Sequence, residues 1–288
     1  MLVVDVSAHN GAIDWTKAYA DGVRGAIIRL GYGSDKQRYD DPFFRANVDG
    51  AISAGIKVGA YLYSYAKTLD GAKSEAYHAI RVLGPYKDKL SLPVFFDSEE
   101  KGTERIAKSA AKIFCEVLET NGYKAGVYAS DSWFKSYLGG DELRKYVQWV
   151  AKWSDPEPKG YTNMQLWQYS AYGTVSGIGR GSVDMDKPYG EILEILSGKD
   201  PKPVGGKVMV ELSVLRKGYK GGDNDSEVFT VQSILKAKGY KGENGKVLAL
   251  DNSFGGNTEY AVKSFQKANG LTADGIVGAK TWDKLLKG

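Results

Sequence analysis

Short β-type runs alternate with amphipathic stretches over the first 196 residues of this chain, and that alternation constrains the fold more than any other feature. LVVDVS reads as a strand, a helix follows around Trp15–Tyr19, and GAIIRLGYG is a second strand. Phe44, Val48 and Ile52 recur every four residues, which predicts a helix before the strand KVGAYLYSYA. A helix near Gly71–Leu83, the strand LPVFFD and a helix carrying Ile106, Ile113 and Val117 continue the pattern, and AGVYAS, VQWVAKW, MQLWQYS and SVDMD follow with less helix between them. Strands alternating with helices favour a parallel sheet, and this many in one domain favour a closed barrel over an open sheet. The expected fold class is therefore α/β, an irregular β/α barrel over residues 1–196.

SGKDPKPVGGK, residues 197–207, concentrates Pro, Gly and Lys without apolar periodicity, so it reads as a linker. Beyond it, VQSILKAKGY from Val231 and VKSFQKANGL from Val262 share Val, Ser, Lys, Ala and Gly at equivalent places. A short helical unit is repeated once, and with the final TWDKLLK it predicts a small all-α, three-helix domain over 208–288. From Lys199 onward stand 15 Lys and Arg against 10 Asp and Glu, leaving 24 against 25 in residues 1–198. A basic tail on a near-neutral body suits an anionic partner such as a wall polymer or nucleic acid, and equally a solvated lysine-rich face.

Composition narrows the chemistry. Cys115 is the only cysteine and sits among apolar residues, so it reads as a buried small hydrophobe and no internal disulfide exists. His9 and His78 are the only histidines, and no CxxC or HExxH motif accompanies them, which argues against a zinc enzyme; no cofactor is expected. MLVVDVSAHNG lacks a basic region followed by a long apolar stretch, and no segment approaches the ~18 apolar residues of a membrane span. Neither a signal peptide nor membrane insertion is expected.

The strand LPVFFDSEE ends in acids, and period two puts Asp97 and Glu99 on one face with Ser98 and Glu100 on the other. In a parallel barrel the C-terminal strand ends form the active-site face. Asp5 at the end of LVVDVS and Asp184 in SVDMD take the same kind of position on strands that barrel closure makes neighbours. Glycoside hydrolysis commonly needs a carboxylic acid to protonate the leaving oxygen and a carboxylate to face the oxocarbenium-like centre. Crowding like charges keeps one acid protonated, so such a cluster supplies both roles. A single acid would more often cap a helix, and the same cluster could hold a divalent cation. Tyr61, Tyr63 and Tyr65 share one strand face, Tyr128 ends another strand, and Trp167 with Gln168 and Tyr169 ends a third. Flat rings cover sugar faces and amides bind their edges, although an aromatic stripe is more often core.

DVSAHNGAIDW, GYG, AYLYSYA, PVFFDSEE, GVYAS, LWQYS and VDMD, in that order over nearly all of residues 1–190, resemble glycoside hydrolase family 25, the bacterial and phage lysozymes of the Chalaropsis type. The resemblance implies cleavage between N-acetylmuramic acid and N-acetylglucosamine. It assigns Glu99 as general acid/base, Asp97 as the carboxylate stabilising the transition state, and Asp5 and Asp184 as supporting acids. The family often carries Asn where this chain has Asp186, and strand alternation favours Glu99 over its neighbour Glu100. FGGNTEYAVKSFQKANGLTADGIVGAKTWDKL resembles the peptidoglycan-binding type 1 domain, a three-helix wall-binding module; a generic helical dimerisation domain is its rival.

The combined expectation is a modular lysozyme. Bacterial peptidoglycan would be both glycan substrate and wall anchor, with Tyr61, Tyr63, Tyr128, Trp167 and Gln168 lining the sugar site and no nucleic acid involved. Lacking an export signal, it would wait in the host cytoplasm as a phage endolysin before reaching the wall, a place a bacterial autolysin could also fill. The rivals are a non-catalytic wall-binding protein and a stem-peptide amidase.

Overall fold

A computed structural model of the chain describes residues 1–179, 182–198, 213–219 and 227–287. The chain divides into two compact units, Met1–Val204 and Gly205–Gly288. Of the expected linker 197–207, residues 199–207 lie outside the described residues.

In the first unit eight strands close a barrel in chain order: β1 (Leu2–Val6), β2 (Val23–Tyr32), β3 (Lys57–Tyr63), β4 (Val94–Asp97), β5 (Ala125–Ser130), β6 (Val147–Ala151), β7 (Met164–Gly173) and β8 (Val183–Pro188). Residue parity sorts each strand into two faces. Val4, Ala26, Ile28, Val58, Ala60, Val94, Phe96 and Val127 point outward and are buried under helices. Val3, Ile27, Phe95, Val147, Trp149 and Leu166 point inward and fill the barrel. Burial on both faces is why these strands read as continuous apolar runs. Gly126 leaves room for the inward Phe95, whose ring would lie 2.5 Å from any Cβ placed there.

Neighbours from β1 to β7 run parallel, but β8 runs antiparallel to both β7 and β1. The parallel order expected from the sequence thus breaks at the last strand. A parallel return needs a crossover of about a dozen residues or more, and only residues 174–182 join β7 to β8. A reversal is what that length allows.

Helices α1 (Trp15–Ala20), α2 (Phe44–Ser53), α3 (Leu69–Leu83) and α4 (Ala107–Thr120) follow β1 to β4. After β5 come only short turns: α5 (Asp131–Trp133), running on into a π-turn at Phe134–Leu138, and a 3-10 turn at Asp141–Leu143. No helix joins β6 to β7. α6 (Gly190–Leu196) ends the unit, and its Ser197 hydroxyl lies 4.0 Å from the Met1 sulfur, beside the start of β1.

The second unit contains α7 (Glu227–Ala237), α8 (Gly256–Ala268) and α9 (Ala279–Lys287). Leu215, Val231, Leu235, Phe254, Val262, Phe265, Val277 and Trp282 form its core. The internal repeat is visible at atomic level. Buried Gln232 donates to Asp251 (2.8 Å), the Ser253 carbonyl (3.0 Å) and Thr258 (3.1 Å), and accepts from the Asn252 amide (3.1 Å). Buried Gln266 donates to Asp274 (2.8 Å), the Ile276 carbonyl (2.9 Å) and Thr281 (3.1 Å), and accepts from the Gly275 amide (2.9 Å). The structure therefore equates Gln232 with Gln266, whereas the sequence alignment set it against Lys263. Each glutamine clasps a loop to the start of the next helix.

Replacing Gln266 by Ala leaves the loop groups it satisfies without partners, an expected loss of about 1–3 kcal/mol. Denaturant unfolding of the full chain, followed through Trp282 fluorescence, should show the transition of the second unit moved to lower denaturant with its slope unchanged.

Candidate active site

The acids predicted from the sequence converge at one end of the barrel. Asp5 and Asp97 are the inward residues nearest the C-terminal ends of β1 and β4, and both are buried. Because β8 is reversed, its first residues reach this end: Asp184 pairs with Asp5, and Asp186, one layer down, pairs with Val3 on one side and Gln168 on the other. Glu99 lies just past the end of β4 and is open to solvent, while Asp97 beneath it is 4% exposed.

Partners distinguish these acids. The Trp149 indole donates to Asp186 at 2.6 Å, and the Gln168 amide donates to Asp5 at 3.0 Å. Gln168 is itself held by the Tyr128 hydroxyl and the Trp153 indole, each 3.0 Å from its oxygen. Glu100 accepts from Tyr63 at 3.0 Å. One Asp97 oxygen, Oδ1, is buried with no hydrogen-bond partner among the described residues.

Burial raises Asp5, Asp97, Glu99, Asp184 and Asp186. Asp5 is pushed well up by burial and by the charges of Asp186 and Asp184, and Asp186 is pushed up to about 8 by burial, against the hydrogen bond from Trp149. Asp97 is raised by burial and by Glu99, with the Arg29 cation working the other way. Burial, then Asp184 and Glu100, raise Glu99. Interacting acids of this kind lose their protons in separated steps, so the group keeps a proton to higher pH than an isolated carboxyl would.

The predicted sugar contacts divide. Tyr61 and Tyr128 pack on Trp149, with ring centroids 6.0 and 4.4 Å away, and make an aromatic floor under the acids. Tyr63 stands at the rim on Glu100, and Gln168 faces inward as the clasp of Asp5. Trp167 is not brought to the cleft. It lies on the opposite face of β7 from Gln168, bonded to the Lys152 carbonyl at 2.8 Å, with the Lys187 ammonium 5.8 Å over its ring. Adjacent strand residues point to opposite sides, so a site that takes Gln168 excludes Trp167.

Two residues were missed. Arg29 is an inward cation on β2, fixed by Asp41 at 2.8 Å; a lone charge at an inward position of an apolar strand was its signal. Trp153, just beyond β6 and 56% exposed, pairs edge-on with Tyr172, which is 77% exposed. Its place after a strand end could have marked it.

Residues 4–178 match the family model described as glycosyl hydrolases family 25. The chain belongs to that family and is a glycoside hydrolase. Residues 224–285 match the model for a putative peptidoglycan binding domain. The chain is 28% identical to the autolytic lysozyme of Clostridium acetobutylicum over 98% of its own length and 77% of that protein's. It is 30% identical to lysozyme M1 of Streptomyces globisporus, over 67% of this chain and 69% of that one. Among solved structures, the bacterial lysozyme from Streptomyces coelicolor aligns with a TM-score of 0.60 at 25% identity, covering 68% of this chain and 95% of that chain.

Because Asp186 holds its proton to about pH 8 when folded and only to about 4 when unfolded, the folded state binds the extra proton between those values. Its contribution is complete below about pH 4 and is lost as pH rises through about 8. Asp186→Asn keeps an acceptor for Trp149 but cannot ionise. Its melting temperature should therefore gain on that of the native enzyme as pH goes from about 4 to about 8, and a constant difference across that range would contradict the assignment.

Proposed function

We propose that this glycoside hydrolase is a muramidase: it cuts the β-1,4 bond between N-acetylmuramic acid and N-acetylglucosamine in bacterial peptidoglycan, with Glu99 as proton donor. The observation that carries this reading is the asymmetry of the Asp97 and Glu99 pair. Glu99 is open at the mouth, where a glycosidic oxygen can reach it, whereas Asp97 is buried with a free oxygen and the Arg29 cation acting on it. A cation favours the ionised form of the acid it acts on, so Arg29 works for the Asp97 carboxylate against its burial, and Glu99 is the member placed to hand a proton to a substrate oxygen.

Glu99 transfers that proton to the leaving oxygen as the bond to C1 breaks. The Asp97 carboxylate faces the positive charge that develops at C1, either directly or by orienting the substrate's acetamido group. Water then adds at C1 and its proton returns to Glu99. Burial holds Asp5 and Asp186 toward their protonated forms beside the pair, while the Arg29 cation works for the ionised form of Asp97. The two lysozymes similar to this chain support the choice of polymer, and the autolytic lysozyme does so across both units.

The second unit we assign as the wall anchor, on the strength of its match to a putative peptidoglycan binding domain. Tethering an anchor to the barrel raises the local concentration of glycan without altering the cleft.

Glu99→Gln should lower the release of reducing ends from purified walls by on the order of 10²–10⁴, with unfolding unchanged; native-level release would remove Glu99 from the mechanism. A chain ending at Gly198 should still cut soluble glycan but sediment with walls far less than the full chain does. Equal sedimentation of the two would contradict the anchor.

A further inference from the structure

We propose that the barrel carries, beside the muramidase site, a cationic subsite that recognises the carboxylates of the peptide attached to muramic acid, through Lys36 and Arg38. The inference rests on the muramidase reading and deepens it, since it says which part of the polymer is sensed besides the sugars.

The segment after β2, GYGSDKQRYDD from Gly31 to Asp41, holds three acids and two cations, and the fold sorts them. Every acid is turned toward another element. Asp35 and Asp40 each bind Arg81 of α3 at 2.6 Å, Asp40 also meets His78 at 2.8 Å, and Asp41 binds Arg29 at 2.8 Å. Lys36 and Arg38 are left exposed, and among the described residues neither makes an ion pair. Both instead lie over the Tyr39 ring, Arg38 at 5.0 Å and Lys36 at 5.8 Å, with Arg38 also donating to the Tyr39 hydroxyl at 3.2 Å.

These cations stand at the end of a continuous aromatic ledge that begins at Glu100, the neighbour of Glu99 in the chain. Tyr63, bonded to Glu100, is 5.0 Å from Tyr65; Tyr65 is 6.1 Å from Tyr32; and Tyr32 is 5.3 Å from Tyr39. A slip in strand register between Arg29 and Gly31 sets Tyr32 opposite Tyr63, so both face the same side. Gly33, at φ +64°, turns the chain where Tyr65 and Tyr39 close over it. Beneath the ledge the buried His78 ring contacts the Gly33 carbonyl oxygen at 2.9 Å through Nδ1, so the platform is tied to α3.

The ledge is thus aromatic, acidic at one end and cationic at the other. A neutral sugar chain gives the cationic end nothing to bind. In peptidoglycan the lactyl group of each muramic acid carries a peptide with free carboxylates, and a glycan lying along the ledge brings such a peptide past Arg38 and Lys36.

The test compares three portions of one wall preparation: untreated, freed of stem peptides by an amidase with the lactyl carboxylates so exposed then capped as neutral methylamides, and stripped of phosphate-bearing wall polymers by hydrofluoric acid. At low salt the native enzyme should have a higher kcat/KM on untreated than on peptide-free glycan. The Lys36→Ala/Arg38→Ala double variant should reduce that ratio by about tenfold, the scale of two exposed charge pairs, and Lys36→Glu/Arg38→Glu should reduce it further. The native ratio should be unchanged by hydrofluoric acid. A double variant that keeps the native ratio, or a ratio that follows the phosphate polymers, overturns the subsite while leaving the muramidase intact. Failure of the native enzyme to release reducing ends from any portion removes both readings.

Discussion

The barrel closes by bringing carboxyl groups together where water is scarce, and the rest of the first unit is arranged around tolerating that. Asp5, Asp97 and Asp186 are all buried near the seam or the centre of the ring. Unpaired buried charge is costly, and a carboxyl in such a place keeps its proton instead. What meets these acids is mostly neutral and directional: an indole from Trp149, an amide from Gln168 and, through that amide, the hydroxyl of Tyr128. Arg29 is the inward cation, and Asp41 holds it in place. Because most of these partners are neutral, the cluster is steadied while it keeps protons to give, which lets it serve acid chemistry.

That arrangement divides the barrel into layers. Apolar side chains such as Val3, Ile27 and Phe95 fill the lower part, aromatics around Trp149 form the next level, and the acids sit on top. Stability comes from the lower layers and from the larger apolar core between strands and helices. The top layer is tuned for reaction and opposes folding as it ionises. Separation of this kind, with function at the strand ends and packing below, is a general property of β/α barrels.

Much of this was legible in the sequence because strand parity is a local signal. The inward position of Asp97 follows from the spacing within LPVFFDSEE, and eight β-type runs were countable. Strand direction is not local, since period two is the same in a parallel or antiparallel neighbour; the reversal of β8 showed only in the shortness of the 174–182 connection. Trp167 and Gln168 both lie at a strand end, and only their opposite parity, which a choice by residue type ignores, separates wall from cleft. Arg29 is a single charge in an apolar strand, and only the folded positions of Asp41 and the acids around it give it a role. The repeat in the second unit was detectable by composition, but its register is set by which buried glutamine fills the same role, and shared residue letters do not report that.

The reversed eighth strand also decides where the chain departs. Running downward, β8 delivers α6 to the closed end, where Ser197 comes to rest beside Met1. The start of β1 and the end of α6 thus share one pole and the reacting groups occupy the other. Among the described residues of the first unit, the helix that follows the barrel therefore lies away from the pole where the acids converge.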